Sequence, residues 1–527
     1  MLIASNGHTS AQRLQPVQRS ASCSTADFFQ RWTSRLRMCG SHAATQRPHP
    51  VQRWVSMAGS GLRDRGRDDA GSATAGNAGS TGLMGASVAQ EPGRCRAWLY
   101  CVHPLPLHRP AARGWICLAP HSEPPRVTAA DQRPGTLEPD SAEFWRAVWA
   151  LAMAGFISFA LLYGTQPVLP QLSLDFGIAP GTASLSVAAG TAAMASLLIP
   201  LSLLADRYGR DRMMRLGLLG AALFALASAL APDFLLLLAC RAGLGACIAG
   251  VPAAAMAYLG DEIAPQARAR VMGIYIGANA LGGMFGRFMV GLVTGWFDWR
   301  HGLACLAIFG LLAAAAFWRL LPPALHFVPR SLQPRLLITD VRRIYADPGL
   351  RWLFVTGFLA FGAFVGIYNY LGFRLSQAPF SLGPAAIGAI FLLYAVGSVS
   401  SSWASHRVDR WGRARTVQLM AGCMVAGIGL TLAGNLPVIL FGLAVFTFGF
   451  FAVHAVASGW VGRRAGPRRG LVSALYLSSY YLGGSIIGSA AGWPWSHAGW
   501  PGVVAVLLVC AGAVIVIAGV LRRVAEG

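Results

Sequence analysis

From about Ala147 onward the chain alternates long apolar runs with short polar links. The runs approach about twenty residues, the length at which a helix crosses a hydrocarbon core of roughly 30 Å. The first set falls at Ala147–Tyr163, Thr182–Leu204, Met213–Leu230, Phe234–Tyr258, Val271–Thr294 and Gly302–Leu321. After a polar link, the second set falls at Trp352–Phe373, Ala385–Ser405, Val417–Leu432, Val438–Trp460, Leu471–Gly492 and Pro501–Leu521. The pattern predicts an all-α membrane protein of twelve transmembrane helices. They form two six-helix bundles, 141–321 and 351–527, joined by a cytoplasmic linker, 322–350.

Residues 1–140 break the pattern. They are rich in Arg, Ser, Gly, Pro and Ala, without helical or strand periodicity. Such a composition cannot bury a core, so a disordered extension is expected. No compact apolar stretch of the secretory kind follows Met1, and Trp98–Val102 is too short to span. Cys95, Cys101, His103, His108 and Cys117 match no zinc spacing, so no metal and no cofactor are expected. The composition points to an over-extended start, with translation beginning near Val127 or Leu137.

Mean hydropathy is +0.51. The formal net charge of +22 first suggests a nucleic-acid partner, and every basic residue is arginine. The arginines lie mostly in the links, where topology accounts for them, which argues against nucleic acid. One set of links carries Arg207, Arg210, Arg212, Arg215, Arg268, Arg270, Arg330, Arg335, Arg342, Arg343, Arg407, Arg410, Arg413, Arg415, Arg463, Arg464, Arg468 and Arg469, with Arg522 and Arg523 in the tail. The other side keeps little more than Arg300 and Arg374. That bias predicts a multi-pass protein of the cell inner membrane with both termini cytoplasmic. Cysteines within the runs read as inert buried thiols.

The halves echo each other. The link Asp206-Arg207-Tyr208-Gly209-Arg210 returns as Asp409-Arg410-Trp411-Gly412-Arg413, 203 positions later. Tyr275-Ile276 followed by Leu281-Gly282-Gly283 returns as Tyr476-Leu477 followed by Leu482-Gly483-Gly484, 201 positions later. A parallel repeat of six helices implies a cavity between the halves and rocking-type alternating access.

These residues carry a resemblance. Ser202 with Asp206–Arg210 resembles motif A of the major facilitator superfamily, with Ser202 in place of the usual first glycine and Asp211 in place of a usual base. Leu237, Arg241 and Gly245 resemble motif B, with Leu244 where a glutamine is common. Gly282–Gly286 resembles the antiporter motif, with Arg287 at its proline position. Tyr258–Ile263, Leu281–Arg287, His326-Phe327 with Pro329, and Phe450–Ser458 are similar to the YnfM-type transporters of the drug:proton antiporter-1 branch. The resemblance covers about 144–523 and implies a secondary transporter, with carriers of drugs and of sugars in the branch.

Candidate residues follow from charge and depth. Asp206, Arg207, Gly209 and Arg210, with Asp409, Arg410, Gly412 and Arg413, form charged turns suited to gating as well as topology. Arg241 and Arg287 lie inside apolar runs, where a charge costs about 2.5 kcal/mol or more unless paired or hydrated. Function is their leading reading and a backbone anchor the alternative. His454 reads equally as a coupling group and as a hydrogen-bonded strut. Asp261 and Glu262, at the inner end of the fourth span, read as a snorkelling pair or a proton site. Tyr163, Gln166, Asn279, Asn369, Tyr394 and Tyr480 are candidate cavity liners. Gly282 and Gly286, and Gly484, Gly488 and Gly492, are spaced for close helix packing. No acidic residue lies deep in a span, although the branch commonly places a carboxylate in its first helix. The surplus of positive charge suits neutral or anionic substrates.

The expected function is secondary transport of a small organic solute by alternating access, as proton-coupled efflux of the drug or sugar type. Partners would be the solute, protons and membrane lipid, with the chain a monomer. An importer or uniporter of an organic anion, and a non-translocating receptor or scaffold, remain open. No nucleotide loop, nucleophile triad or ligand cluster suggests an enzyme.

Overall fold

The computed structural model describes residues 135–329 and 334–526. The expectations of disorder, start site and metal spacing concern residues that lie almost entirely outside this range. Spans are numbered one to twelve as the sequence predicts them. The first six are α1 (Ala142–Leu162) with the short α2 (Leu169–Asp175), α3 (Pro180–Tyr208), α4 (Arg210–Ala229), α5 (Phe234–Ala249) continued by α6 (Val251–Glu262), α7 (Pro265–Trp296) and α8 (Trp299–Leu320). The linker contains α9 (Pro334–Ala346). The second six are α10 (Pro348–Ser376), α11 (Pro384–Ile390) continued by α12 (Ala395–Trp411), α13 (Arg413–Leu430), α14 (Leu436–Arg464), α15 (Arg469–Ala490) and α16 (Gly492–Glu526). Among the described residues the only β contact is an isolated bridge between Leu137 and Ile263.

Among the described residues eleven helices are long and apolar enough to cross a membrane. The remaining predicted span, the ninth, is the 18-residue α13, whose first turn carries Arg413 and Arg415 and so dilutes its apolar length. Helix starts follow local chemistry. Ser141, Asp233, Asp298, Asp347 and Asn435 each turn a side-chain oxygen onto a first-turn backbone N–H. The backbone N–H of His301 is the main cause holding the Asp298 carboxyl below its ordinary value, and the His301 side chain adds to it. The turns between spans two and three, and between eight and nine, bend at Gly209 (φ +111°) and Gly412 (φ +75°), backbone that favours glycine. The sequence begins the twelfth span at Pro501, but α16 starts at Gly492 and changes direction at Gly499 (φ +58°).

Three spans lose regularity midway. Span one stops at Leu162, and Gln166–Val168 form a 3₁₀ turn where Gly164 and Pro167 interrupt the helix. Span four breaks at Gly250, before Pro252. Span eight passes through a 3₁₀ turn, Phe391–Tyr394, between α11 and α12. Such interruptions often mark functional sites.

The halves meet through span two against span eleven and span five against span eight. The bonds that join them lie toward the arginine-poor end. Thr191 Oγ1 and Ser485 Oγ are 2.7 Å apart, Gln166 Nε2 donates to Asn369 Oδ1 at 2.8 Å, and Tyr370 Oη donates to Ser184 Oγ at 3.3 Å. Glycines bring backbones together at the same end. A Cβ added to Gly181 would meet Gly492 Cα at 3.1 Å, and one added to Gly291 would meet Gly388 Cα at 2.6 Å. The arginine-poor end is closed.

Candidate functional site

The predicted functional arginines part company. Arg241, 1% exposed, reaches from α5 to the end of α1. Its Nε donates to Ser186 O at 3.1 Å, its Nη1 to Leu161 O at 2.9 Å and its Nη2 to Leu162 O. α1 stops there, so among the described residues Leu162 O has no backbone donor and Leu161 O keeps only end-of-helix ones such as the Gly164 N–H at 3.4 Å, and a cation at a helix C-terminus is favourable. The arrangement is the backbone anchor that the sequence reading kept as an alternative.

Arg287, 3% exposed, sits in a different environment. Its Nε donates to Gln166 Oε1 at 2.6 Å and its Nη1 to Gly283 O. The guanidinium carbon lies 4.1 Å from the Tyr163 ring centre, 4.9 Å from Tyr394 and 5.4 Å from Phe391. Among the described residues it faces no carboxylate within ion-pair distance. Gln166 links onward to Asn369, so one chain of contacts joins spans five, one and seven. Phe391 and Tyr394 come from the 3₁₀ turn of span eight. Three rings and a neutral amide therefore hold a buried cation, by attraction of about 0.5–2 kcal/mol per ring.

A wall of rings extends from this cage through the second half. Tyr394 stands 5.0 Å from Phe364, which stacks on Phe450 at 3.9 Å. Phe361 stacks on Tyr480 at 3.8 Å, and Tyr480 lies 4.6 Å from the His454 ring. His454 Nδ1 is 3.2 Å from Tyr476 Oη. Sequence reasoning named Tyr480 and His454 but missed Phe361, Phe364, Phe391 and Phe450. The three-residue spacing of Phe361 and Phe364 in span seven was the available signal for those two. Asn279 is not part of this chain: its Oδ1 sits where a Cβ on Gly155 would fall, 1.9 Å away.

At the arginine-rich end the repeated link is asymmetric. In the first half Arg210, itself buried, bonds Asp206 at 3.2 Å, Asp261, and the carbonyl of Ala257 at 3.0 Å. Asp261, read from sequence apart from this link, belongs to it. Its neighbour Glu262 is buried, accepts the His326 backbone N–H at 2.8 Å and faces His326 Nδ1 at 2.8 Å. In the second half Asp409, Arg410 and Arg413 form no ion pair among the described residues. There Arg464 bonds Asp347 at 2.9 Å and Arg468 bonds Asp340 at 2.8 Å, two links the sequence reading did not find.

The packing glycines follow the repeat at one position, Gly282 and Gly483, rather than the GxxxG spacing. Cβ atoms on Gly282 and Gly286 would fall 1.9 Å from Phe156 O and 2.4 Å from Ala160 O, so span five lies against the backbone of span one. In the second half the equivalent approach is made by Gly483, 2.0 Å from Phe358 O, whereas Gly484 and Gly488 face the side chains of Phe361 and Val365.

A duplicated all-α, multi-pass membrane fold with its polar groups at the joint between halves defines a transporter class. Residues 151–488 match the family model of the Major Facilitator Superfamily, and the chain belongs to that family. It is 41% identical over 372 residues to the inner membrane transport protein YnfM of Escherichia coli strain K12, covering 70% of this chain and 89% of that one. It is 38% identical over 364 residues to the uncharacterized MFS-type transporter YybF of Bacillus subtilis strain 168, covering 69% and 90%. Among solved structures, a bacterial homologue of the human lysosomal transporter Spinster, inward-facing and occupied, superposes with a TM-score of 0.62 at 15% identity, over 73% of this chain and 97% of that one. The chain is a membrane transport protein similar to YnfM.

Proposed function

We propose that this chain moves a small organic solute across the inner membrane by alternating access, as proton-coupled efflux of the drug or sugar type. The observation that carries it is the character of the joint. The halves close at one end through neutral hydrogen bonds, Thr191 with Ser485, Gln166 with Asn369 and Tyr370 with Ser184, and through glycine contacts. Each such bond has a modest net free energy of about 1 kcal/mol, so the set is able to break and re-form in a cycle. Segments 141–321 and 351–527 are the moving bodies, and 322–350 connects them. Asp206, Arg207, Gly209 and Arg210 act at the gate, as do Asp409, Arg410, Gly412 and Arg413. The arginine-rich end is cytoplasmic, both termini face that side, and the protein acts as a monomer. His454, against Tyr476 and Tyr480, is the group assigned to proton coupling.

A second reading, an importer or uniporter of an organic anion, is favoured by Arg287, which is buried without a carboxylate partner. One assay separates the readings. Full-length protein is reconstituted in vesicles under a pH gradient, and lumenal pH and labelled solute are followed across neutral, cationic and anionic compounds. Solute-evoked proton movement supports coupling, and its sign gives antiport or symport. Equilibration without a pH response supports uniport. Binding with no flux overturns transport and leaves a receptor.

A further inference from the structure

We infer that Arg287 and Tyr394 form the charge-reading part of the substrate site, and that it takes the carboxylate of a small organic anion with a planar apolar body. The inference rests on the transport reading above and deepens it. Two polar groups in the cage lack partners among the described residues. Nη2 of Arg287 donates no hydrogen bond, and the buried hydroxyl of Tyr394 has none. Both are donors. The group that satisfies two donors and a positive charge at once is an acceptor-only anion, and a carboxylate matches the guanidinium fork. In the closed state the rings of Tyr163, Phe391 and Tyr394 stand where a counter-ion is expected.

The cage is built from both halves. Tyr163, Gln166 and Arg287 belong to spans one and five, and Phe391 and Tyr394 to span eight. On a 3₁₀ turn residues i and i+3 share one face, so Phe391 and Tyr394 leave or arrive together. Separation of the halves at the arginine-poor end strips these two rings from the cation and opens it to a hydrated cleft. An anion entering there binds Nε and Nη2 in place of Gln166. Closure then returns Tyr394, whose hydroxyl supplies a further donor, and its ring neighbour Phe364 offers a flat apolar face to the body of the solute. Binding and closure are thereby linked through one side chain.

The test is thermal unfolding of the full-length protein in lipid nanodiscs with millimolar benzoate, phenylacetate or naphthoate, against benzylamine, benzyl alcohol and inorganic sulfate. The acids are expected to raise the melting temperature and the amine, alcohol and sulfate to leave it unchanged. Tyr394→Phe keeps the ring and is expected to weaken apparent acid affinity about 10-fold without moving the unliganded melting temperature. Arg287→Gln should abolish the acid response and Arg287→Lys should restore part of it. Acids that act no better than the matched alcohol, or an acid response unchanged in both Tyr394→Phe and Arg287→Gln, would overturn the inference. So would an equal response to sulfate, which marks a general anion site. Vesicle flux of a neutral or cationic solute with no acid binding sinks this inference and leaves transport standing. Acid binding without any flux does the reverse.

Discussion

Two arginines of similar depth do different work because of what each one faces. Arg241 has a carbonyl on each nitrogen, and two of the three belong to the open end of α1. Removing its side chain orphans the buried Leu162 O, at about 1–3 kcal/mol, and also takes away the second donor to Leu161 O and Ser186 O. Arg241→Ala is therefore expected to lower stability by about 2 kcal/mol or more, in addition to any loss of transport, while membrane insertion persists. Arg241→Lys should recover only part, since one ammonium does not reproduce a planar fork. Melting temperatures of the purified variants check this, and an unchanged value for Arg241→Ala would exclude the anchor. The depth of both cations was legible in the sequence. Their partners were not, because Leu161 O and Leu162 O become available only through the interruption at Gly164 and Pro167, and the rings around Arg287 come from helices distant in the chain.

The repeated charged link shows how far internal symmetry guides a reading. Asp206 and Asp409 occupy equivalent turns, each followed by a glycine of positive φ, yet Asp206 shares Arg210 with Asp261, whereas Asp409 forms no ion pair among the described residues. The difference lies in the neighbouring helix end. Span four ends in Asp261-Glu262, whereas span ten ends in Arg463-Arg464, so the second half places like charge where the first places opposite charge. Asp206→Asn is expected to slow turnover several-fold with substrate affinity nearly unchanged, and Asp409→Asn to have a clearly smaller effect. Turnover and binding measured side by side decide it. A collapse of affinity in Asp206→Asn would remove the gating account, and equal effects at both sites would remove the asymmetry. At the glycines the symmetry holds and the spacing fails, since the 201-residue repeat pairs Gly282 with Gly483. Spacing identified Gly282 and Gly286, but in the second half it selected Gly484 and Gly488 when the backbone contact is made by Gly483. A GxxxG spacing fixes a face of a helix only to within one residue's rotation, and the neighbour's bulk, here Phe361 and Val365, sets the rest.

The two-bundle architecture was legible because span length, arginine bias and duplication each report it independently. Which end of the molecule is closed was not, since the same sequence must support both states of a cycle. Closure at the arginine-poor end depends on pairs with no sequence signature, such as Thr191 with Ser485 across spans two and eleven. Those hydroxyl oxygens are 2.7 Å apart, close enough for cysteines at both positions to form a disulfide after minor adjustment. Cys240 and Cys510 are buried, but Cys305 is exposed and Cys247 and Cys423 half-buried, so the pair is introduced after the native cysteines are replaced by serine. Thr191→Cys with Ser485→Cys is expected to crosslink under mild oxidation. If the joint must open in every cycle, the crosslinked protein loses nearly all solute flux, and reduction restores it. Each single cysteine variant should transport under both conditions, because loss of one neutral hydrogen bond costs only about 1 kcal/mol. Flux that survives complete crosslinking would mean that spans two and eleven stay together throughout, and rocking about this joint would have to be abandoned.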